Sequence, residues 1–257
     1  MKKIISVILA LTLCVGCIFA LTSCGAKGKT LDEVKAAGKL VIATSPDFPP
    51  FENLEDGKVV GIEIDILNLI CEELGVELEI VEIPFDSVLP GVQSAKFDAG
   101  VSGITVTPER AKNTLFSDVY YIAAQSIVVR EDSDITSKDD LEGKKISVQL
   151  GTTAESFCLD EGYNVDSYEN NNEAKMALTG NKVDAWVVDN LTALQMCASD
   201  SSVKILDESM TEEPYAFAFC FGSEDLVEAI NVIIADLIED GTIEEIFAKY
   251  GEDYLAP

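Results

Sequence analysis

The chain has 257 residues, with 18 basic and 46 acidic side chains, no histidine and a formal charge of −28. Nucleic acid and anionic lipid are poor partners for so acidic a protein, because both need a basic footprint. The absence of imidazole excludes Ser-His-Asp and Cys-His catalysis and the usual zinc and copper ligand sets.

At the N-terminus, Lys2 and Lys3 precede an apolar run from Ile4 to Ala20, which Leu21-Thr22-Ser23-Cys24-Gly25 closes with small residues. That pattern is an export signal. An uncleaved anchor is the alternative, since the 18 residues from Ile4 to Leu21 reach the short edge of a bilayer span. Either way residues 25–257 lie outside the membrane. Loss of Lys2 and Lys3 leaves 16 basic residues against 46 acidic ones. Cys14 and Cys17 leave with the signal. Cys71, Cys158, Cys197 and Cys220 have no C-x-x-C spacing, which suggests neither a metal cage nor a disulfide framework, and free buried thiols are expected.

The exported part reads as α/β. Lys39–Thr44 is a short apolar strand. A helix follows from about Asp65 to Leu74, with Ile66, Leu67, Ile70 and Leu74 on one face and Gly75 as its stop, and Val76–Ile83 is the next strand. Phe97–Val101 leads as a strand into a polar turn, Ser102 to Thr107, and then a helix with Thr107 as N-cap and Pro108 at its first position. Free N–H groups at the strand end, the helix dipole and the Arg110 guanidinium can converge there on a planar carboxylate. The alternative for Arg110 is a solvated side chain on an ordinary turn.

The same plan recurs further on. Lys145–Leu150 is a strand, and Thr152 with Glu155 forms a capping box that opens a helix. Lys96-Phe-Asp-Ala99 and Lys182-Val-Asp-Ala185 each follow a helical stretch and enter an apolar strand. Two α/β units on one plan imply two similar lobes. Ala123–Val129 and Tyr215–Cys220 are extended, apolar and bracket the second unit. Two helices end the chain, from about Glu224 to Ile238 and from a cap at Thr242 and Glu245. If they pack on the first unit, the chain crosses twice and forms a hinge with a ligand crevice between the lobes.

Thr44-Ser-Pro-Asp-Phe-Pro-Pro-Phe-Glu52, Ser102–Arg110, Phe116-Ser-Asp-Val-Tyr-Tyr121, Gly151-Thr-Thr153 and Val183–Asp189 occur in that order. Together they resemble the extracellular solute-binding proteins of polar amino-acid ABC importers, from about Gly38 to Tyr250. The resemblance implies a type II periplasmic-binding-protein fold hinged by two crossover strands. It divides the chain into a signal peptide (1–23), a tether with a first helix (24–37), a discontinuous lobe one (38–123 and 217–257) and lobe two (124–216). The end of the signal resembles a lipobox, which would make Cys24 the acylated (palmitate-bearing) N-terminus, held at the outer face of the cytoplasmic membrane or on the periplasmic side.

By the same resemblance, Arg110 grips the ligand α-carboxylate, and Gly103 and Thr105, beside Ser102, finish that anion site with N–H groups and a hydroxyl. Asp189 takes the α-ammonium from the other lobe, unless it serves only to cap the helix at Asn190. Thr153 contacts the carboxylate from lobe two. Phe48 and Phe85 wall the ligand side chain, core packing being their alternative, and Gln149 and Ser45 set selectivity. A cationic side chain would need Asp47 or Glu155 as its partner. The implied function is capture of an amino acid by a monomer and its delivery to a permease and ATPase complex, with no cofactor, metal or catalysis. An enzyme on the same scaffold, such as a cyclic-acid dehydratase using Glu52, Asp47 or Glu155, and a receptor that feeds a sensor are the alternatives.

Overall fold

The computed structural model describes residues 26–257. The expected signal segment and Cys24 lie outside the described residues. Helix α1 (Leu31–Ala37) is closed at its start by a capping box between Thr30 and Glu33 and at its end by Gly38 in the left-handed conformation. Strands β1 (Lys39–Thr44), β2 (Asp47–Phe48), β3 (Glu52–Glu55) and β4 (Lys58–Val60) follow, then α2 (Ile62–Leu74), β5 (Glu77–Glu82), α3 (Phe85–Gln93), β6 (Ala99–Gly100), β7 (Leu115–Phe116) and β8 (Tyr121–Ala123). The second stretch holds β9 (Gln125–Arg130), β10 (Lys145–Gln149), α4 (Thr153–Asp160), β11 (Asn164–Tyr168), α5 (Asn171–Thr179), β12 (Ala185–Asp189), α6 (Asn190–Cys197) and β13 (Val203–Ser209). The chain ends with β14 (Glu213–Tyr215), β15 (Ala218–Phe219), α7 (Glu224–Glu239) and α8 (Thr242–Lys249).

Two five-stranded sheets result, in the orders β5-β1-β6-β15-β7 and β11-β10-β12-β9-β13. In each, one strand pairs in parallel with two neighbours through crossover helices, as β1 does with β5 and β6 and β10 with β11 and β12. The tetrapeptide repeat has a structural cause. Ala95 and Asn181 turn left-handed after a helix, and the next lysine N–H bonds back into that helix, Lys96 to Gly91 O and Lys182 to Ala177 O. The aspartate then clasps the neighbouring strand from both sides. The Asp98 N–H bonds Val41 O at 2.8 Å while its carboxylate accepts the Val41 N–H at 2.9 Å. Asp184 does the same with Lys145, at 2.7 and 2.8 Å.

The chain passes from one sheet to the other at β8 and returns at β14. These two strands pair antiparallel, Glu213 with Ala123 and Tyr215 with Tyr121, so the linking pair sits slightly earlier than Ala123–Val129 and Tyr215–Cys220. The final helices pack on the first lobe, where Phe247 meets Phe51 edge to face and lies tilted against Tyr121. Three local expectations are corrected. The turn after Thr107 is a single 3-10 turn, Arg110–Lys112, because β7 begins three residues later; the Thr107 hydroxyl still accepts the Arg110 N–H at 3.1 Å. Helix α2 starts at Ile62 because the Pro50 and Phe51 carbonyls accept its first N–H groups. Left-handed Gly241 caps α8, and Thr242 is inside the helix with no capping bond.

Candidate functional site

Between the sheets lies a cavity whose empty space, its open mouth included, is about 420 Å³. All ten residues singled out from the sequence line it: Ser45, Phe48, Phe85, Ser102, Gly103, Thr105 and Arg110 from the first lobe, and Gln149, Thr153 and Asp189 from the second. Arg110 is half-buried in the turn after Thr105. Its Nη1 donates to Thr105 O at 2.9 Å, its Nη2 reaches across to Gly151 O at 3.1 Å, and its guanidinium carbon stands 5.8 Å from the Phe85 ring centroid. Burial pulls its pKa down, while Glu213 and Asp189 oppose that pull.

Asp189 ends β12 on the opposite wall. It occupies the N-cap position of α6, yet its side chain makes no capping bond and instead accepts the Tyr215 hydroxyl. Burial, helped by Glu213, pushes its carboxyl up to about 7, and the Tyr215 bond and Arg110 pull it back only partly. A guanidinium and a carboxylate on facing walls match the two ends of a zwitterion.

Two donors assigned to the anion site are committed elsewhere. The Gly103 N–H bonds both carboxylate oxygens of buried Glu63, at 3.0 and 3.2 Å. The Thr105 hydroxyl donates to Glu213 at 2.6 Å, so it offers the cavity only lone pairs. What Thr105 still provides is its N–H. Its bridge to Tyr215 is made through the flanking residues, Val106 N–H to Pro214 O and Ala216 N–H to Ile104 O, a pairing that leaves the N–H of the bridging residue outside the ladder. From the second lobe, α4 points its N-terminus at the same place, with Thr153 and Ala154 on the cavity wall and first-turn N–H groups that have no partner within the helix. The capping box expected there is half made. Thr152 accepts the Glu155 N–H, but Glu155 turns to the Gly151 N–H at 2.7 Å and to Ser167.

Glycine at 103 is required: φ is +54° and a Cβ would stand 2.5 Å from the Phe48 ring. Behind it, Ser102 donates to Glu52 at 2.8 Å. Burial and Glu63 hold the Glu52 carboxyl well above the usual range. At the other end of the cavity, Asp47 accepts Ser45 Oγ at 2.7 Å, the Asn171 N–H at 2.7 Å and Gln149 Nε2 at 3.1 Å. Neither Asp47 nor Glu155 lines the cavity, and the residues that face it there, Ser45, Gln149 and Asn171, are uncharged. Thr152, Ala154, Asn171, Val187 and Val188, not assigned to the site from the sequence, complete the wall. The run Asn170-Asn171-Asn172, opening a helix after β11, was the available signal for Asn171.

The fold and the site define a two-lobed protein with a polar-lined cavity between its lobes. The profile of the bacterial extracellular solute-binding proteins, family 3, matches residues 40–253, and the chain belongs to that family. It is 31% identical over 248 residues to the arginine-binding extracellular protein ArtP of Bacillus subtilis, covering 93% of this chain and 96% of that one. To the glutamine-binding protein GlnH of the same organism it is 30% identical over 269 residues, covering 97% of each. Among solved structures, a mutant of ArgBP from T. maritima superposes with a TM-score of 0.83 at 36% identity, over 86% of this chain and 98% of that one. An ancestral amino-acid-binding protein, a precursor of cyclohexadienyl dehydratase, superposes at 0.80 and 35% identity, over 86% and 99%.

Proposed function

We propose that this protein captures a free α-amino acid outside the cytoplasm and hands it to the permease and ATPase of an ABC importer. It would act as a monomer, with lobe one (38–123 and 217–257) closing on lobe two (124–216), and be held to the membrane by an acyl chain on Cys24 after removal of residues 1–23. The observation that carries this reading is the placement of Arg110 and Asp189 on facing walls of one cavity, where only the closed form touches both ends of a zwitterion. The ligand then drives closure through its differential affinity for the two states. The α-carboxylate meets Arg110, the Thr105 N–H and the start of α4; the α-ammonium meets Asp189 and the lone pairs of the Thr105 hydroxyl. Relatives named for arginine and for glutamine support an amino acid as the solute class.

A thermal-shift screen against the twenty amino acids and cystine tests this. Ligand at 100 times Kd adds about 2.7 kcal/mol of stability, and a protein that melts at the same temperature with every one of them would refute the reading. Catalysis is the competing function, favoured by the likeness to a dehydratase precursor and by a carboxyl near neutrality in the cavity. The bound compound recovered unchanged by mass spectrometry speaks for transport, and its conversion speaks for an enzyme.

A further inference from the structure

The hinge strand β14 sends two side chains, Glu213 and Tyr215, to the same side, as residues two apart in a strand must. Both reach ligand-facing groups. Tyr215 bonds Asp189. The Glu213 carboxylate, 3% exposed, accepts the Thr105 hydroxyl of lobe one at 2.6 Å and the Thr153 hydroxyl of lobe two at 2.8 Å, on a single oxygen. Thr153 Oγ1 also accepts Gln125 Nε2 at 3.0 Å, which fixes its hydrogen on the Glu213 side.

We propose that Glu213 is a positioning residue that couples the hinge to amino-acid binding, by tying one hydroxyl from each lobe to the crossover strand and turning both hydroxyl protons away from the ligand. The two bonds coexist only when the lobes are together, so Glu213 adds to the closed state a contact that the open state lacks. Hydroxyls that donate to Glu213 can only accept from the cavity side. The threonines therefore disfavour a carboxylate at that spot and favour an ammonium, which sets the direction in which a zwitterion lies between Arg110 and Asp189. The proposal rests on the amino-acid reading of the cavity for the ligand's orientation, but the closure contact is a property of the protein alone.

The charged and titratable groups facing Asp189 are Glu213, Tyr215 and Arg110, with Tyr121 nearby. Removal of the Glu213 charge therefore lets Asp189 ionise at lower pH. Calorimetric titration of the native protein, Glu213→Ala and Glu213→Gln with L-arginine and with L-glutamine, from pH 5.5 to 8.5, tests the coupling. Glu213→Ala should weaken binding of whichever probe the native protein takes by at least tenfold. Glu213→Gln keeps an acceptor oxygen for both hydroxyls. It should stay within about threefold of native at pH 8.5 and move the acid-side loss of affinity to lower pH. Native affinity in Glu213→Ala, or equal losses in both variants with the pH midpoint unmoved, overturns the proposal. Small-angle scattering without amino acid separates the two readings. Glu213→Ala should be more expanded than the native protein and Glu213→Gln; superimposable profiles overturn the hinge role whether or not any amino acid binds.

Discussion

Arg110 acts through geometry as well as charge. Its fork is already held by the Thr105 and Gly151 carbonyls, so the remaining N–H groups have a fixed direction, and a lysine cannot reproduce it. Arg110→Lys should raise Kd about 100-fold, or about 2.7 kcal/mol, and Arg110→Ala should abolish binding while the protein still melts cooperatively; calorimetry and thermal denaturation read the two effects separately. Asp189 supplies the pH dependence. Its carboxyl is raised to about 7 in the folded protein from its ordinary value of 3.8, so the native state binds more protons than the unfolded state between those values. Stability from this group is present at low pH and is lost as pH rises through that window. An α-ammonium reverses the preference, so affinity should fall by up to about tenfold per unit below pH 7, with proton release on binding. Asp189→Asn should bind weakly at every pH with a flat profile in calorimetry across buffers. At this scale the identity of the site residues was legible, because Arg110 and Asp189 sit in recognisable local patterns. Hydrogen-bond polarity was not: the partners that claim the Gly103 N–H and the Thr105 hydroxyl are Glu63 and Glu213, far away in the chain.

Elements carry the repeat that the sequence displayed as Lys-x-Asp-Ala. Its legibility comes from a backbone requirement, since each aspartate must both donate to and accept from one strand to bring that strand into register. The two copies differ in burial. The Asp98 side chain is 5% exposed and paired with Lys29 at 2.9 Å, whereas the Asp184 side chain is 42% exposed, with Arg130 3.9 Å away. Loss of a buried acceptor strands the Val41 N–H, which costs about 1–3 kcal/mol. Asp98→Ala should lower stability by about 3 kcal/mol and Asp184→Ala by about 1 kcal/mol in urea unfolding, and equal losses would refute the role of burial. The element boundaries that sequence missed share a cause: α2 begins early because loop carbonyls accept its first N–H groups, and the turn at Arg110 stays short because β7 follows at once. Those are tertiary facts with no local signature.

Closure is a property of the whole molecule, and its rim is separable from its ligand pocket. Two lobes and two crossings were legible because the α/β unit repeats and its flanks are extended and apolar. Which residues touch across the cleft was not, since the Asp47 bonds to Gln149 and Asn171 join segments more than a hundred residues apart. At the rim, Gly151 lies so close to lobe one that a Cβ there would stand 3.0 Å from the Asp86 Cα. Its φ of +81° disfavours alanine in the open and closed forms alike, so that strain cancels from their ratio. The wedge does not cancel, because Asp86 is met only on closing. Gly151→Ala should therefore raise Kd for every bound amino acid by one common factor, about tenfold or 1.4 kcal/mol, and leave their ranking unchanged. Substitution of Ser45 or Asn171, which face the side-chain end, should reorder the ranking instead. A Kd panel on Gly151→Ala that reorders the ligands would show that rim and pocket are one unit.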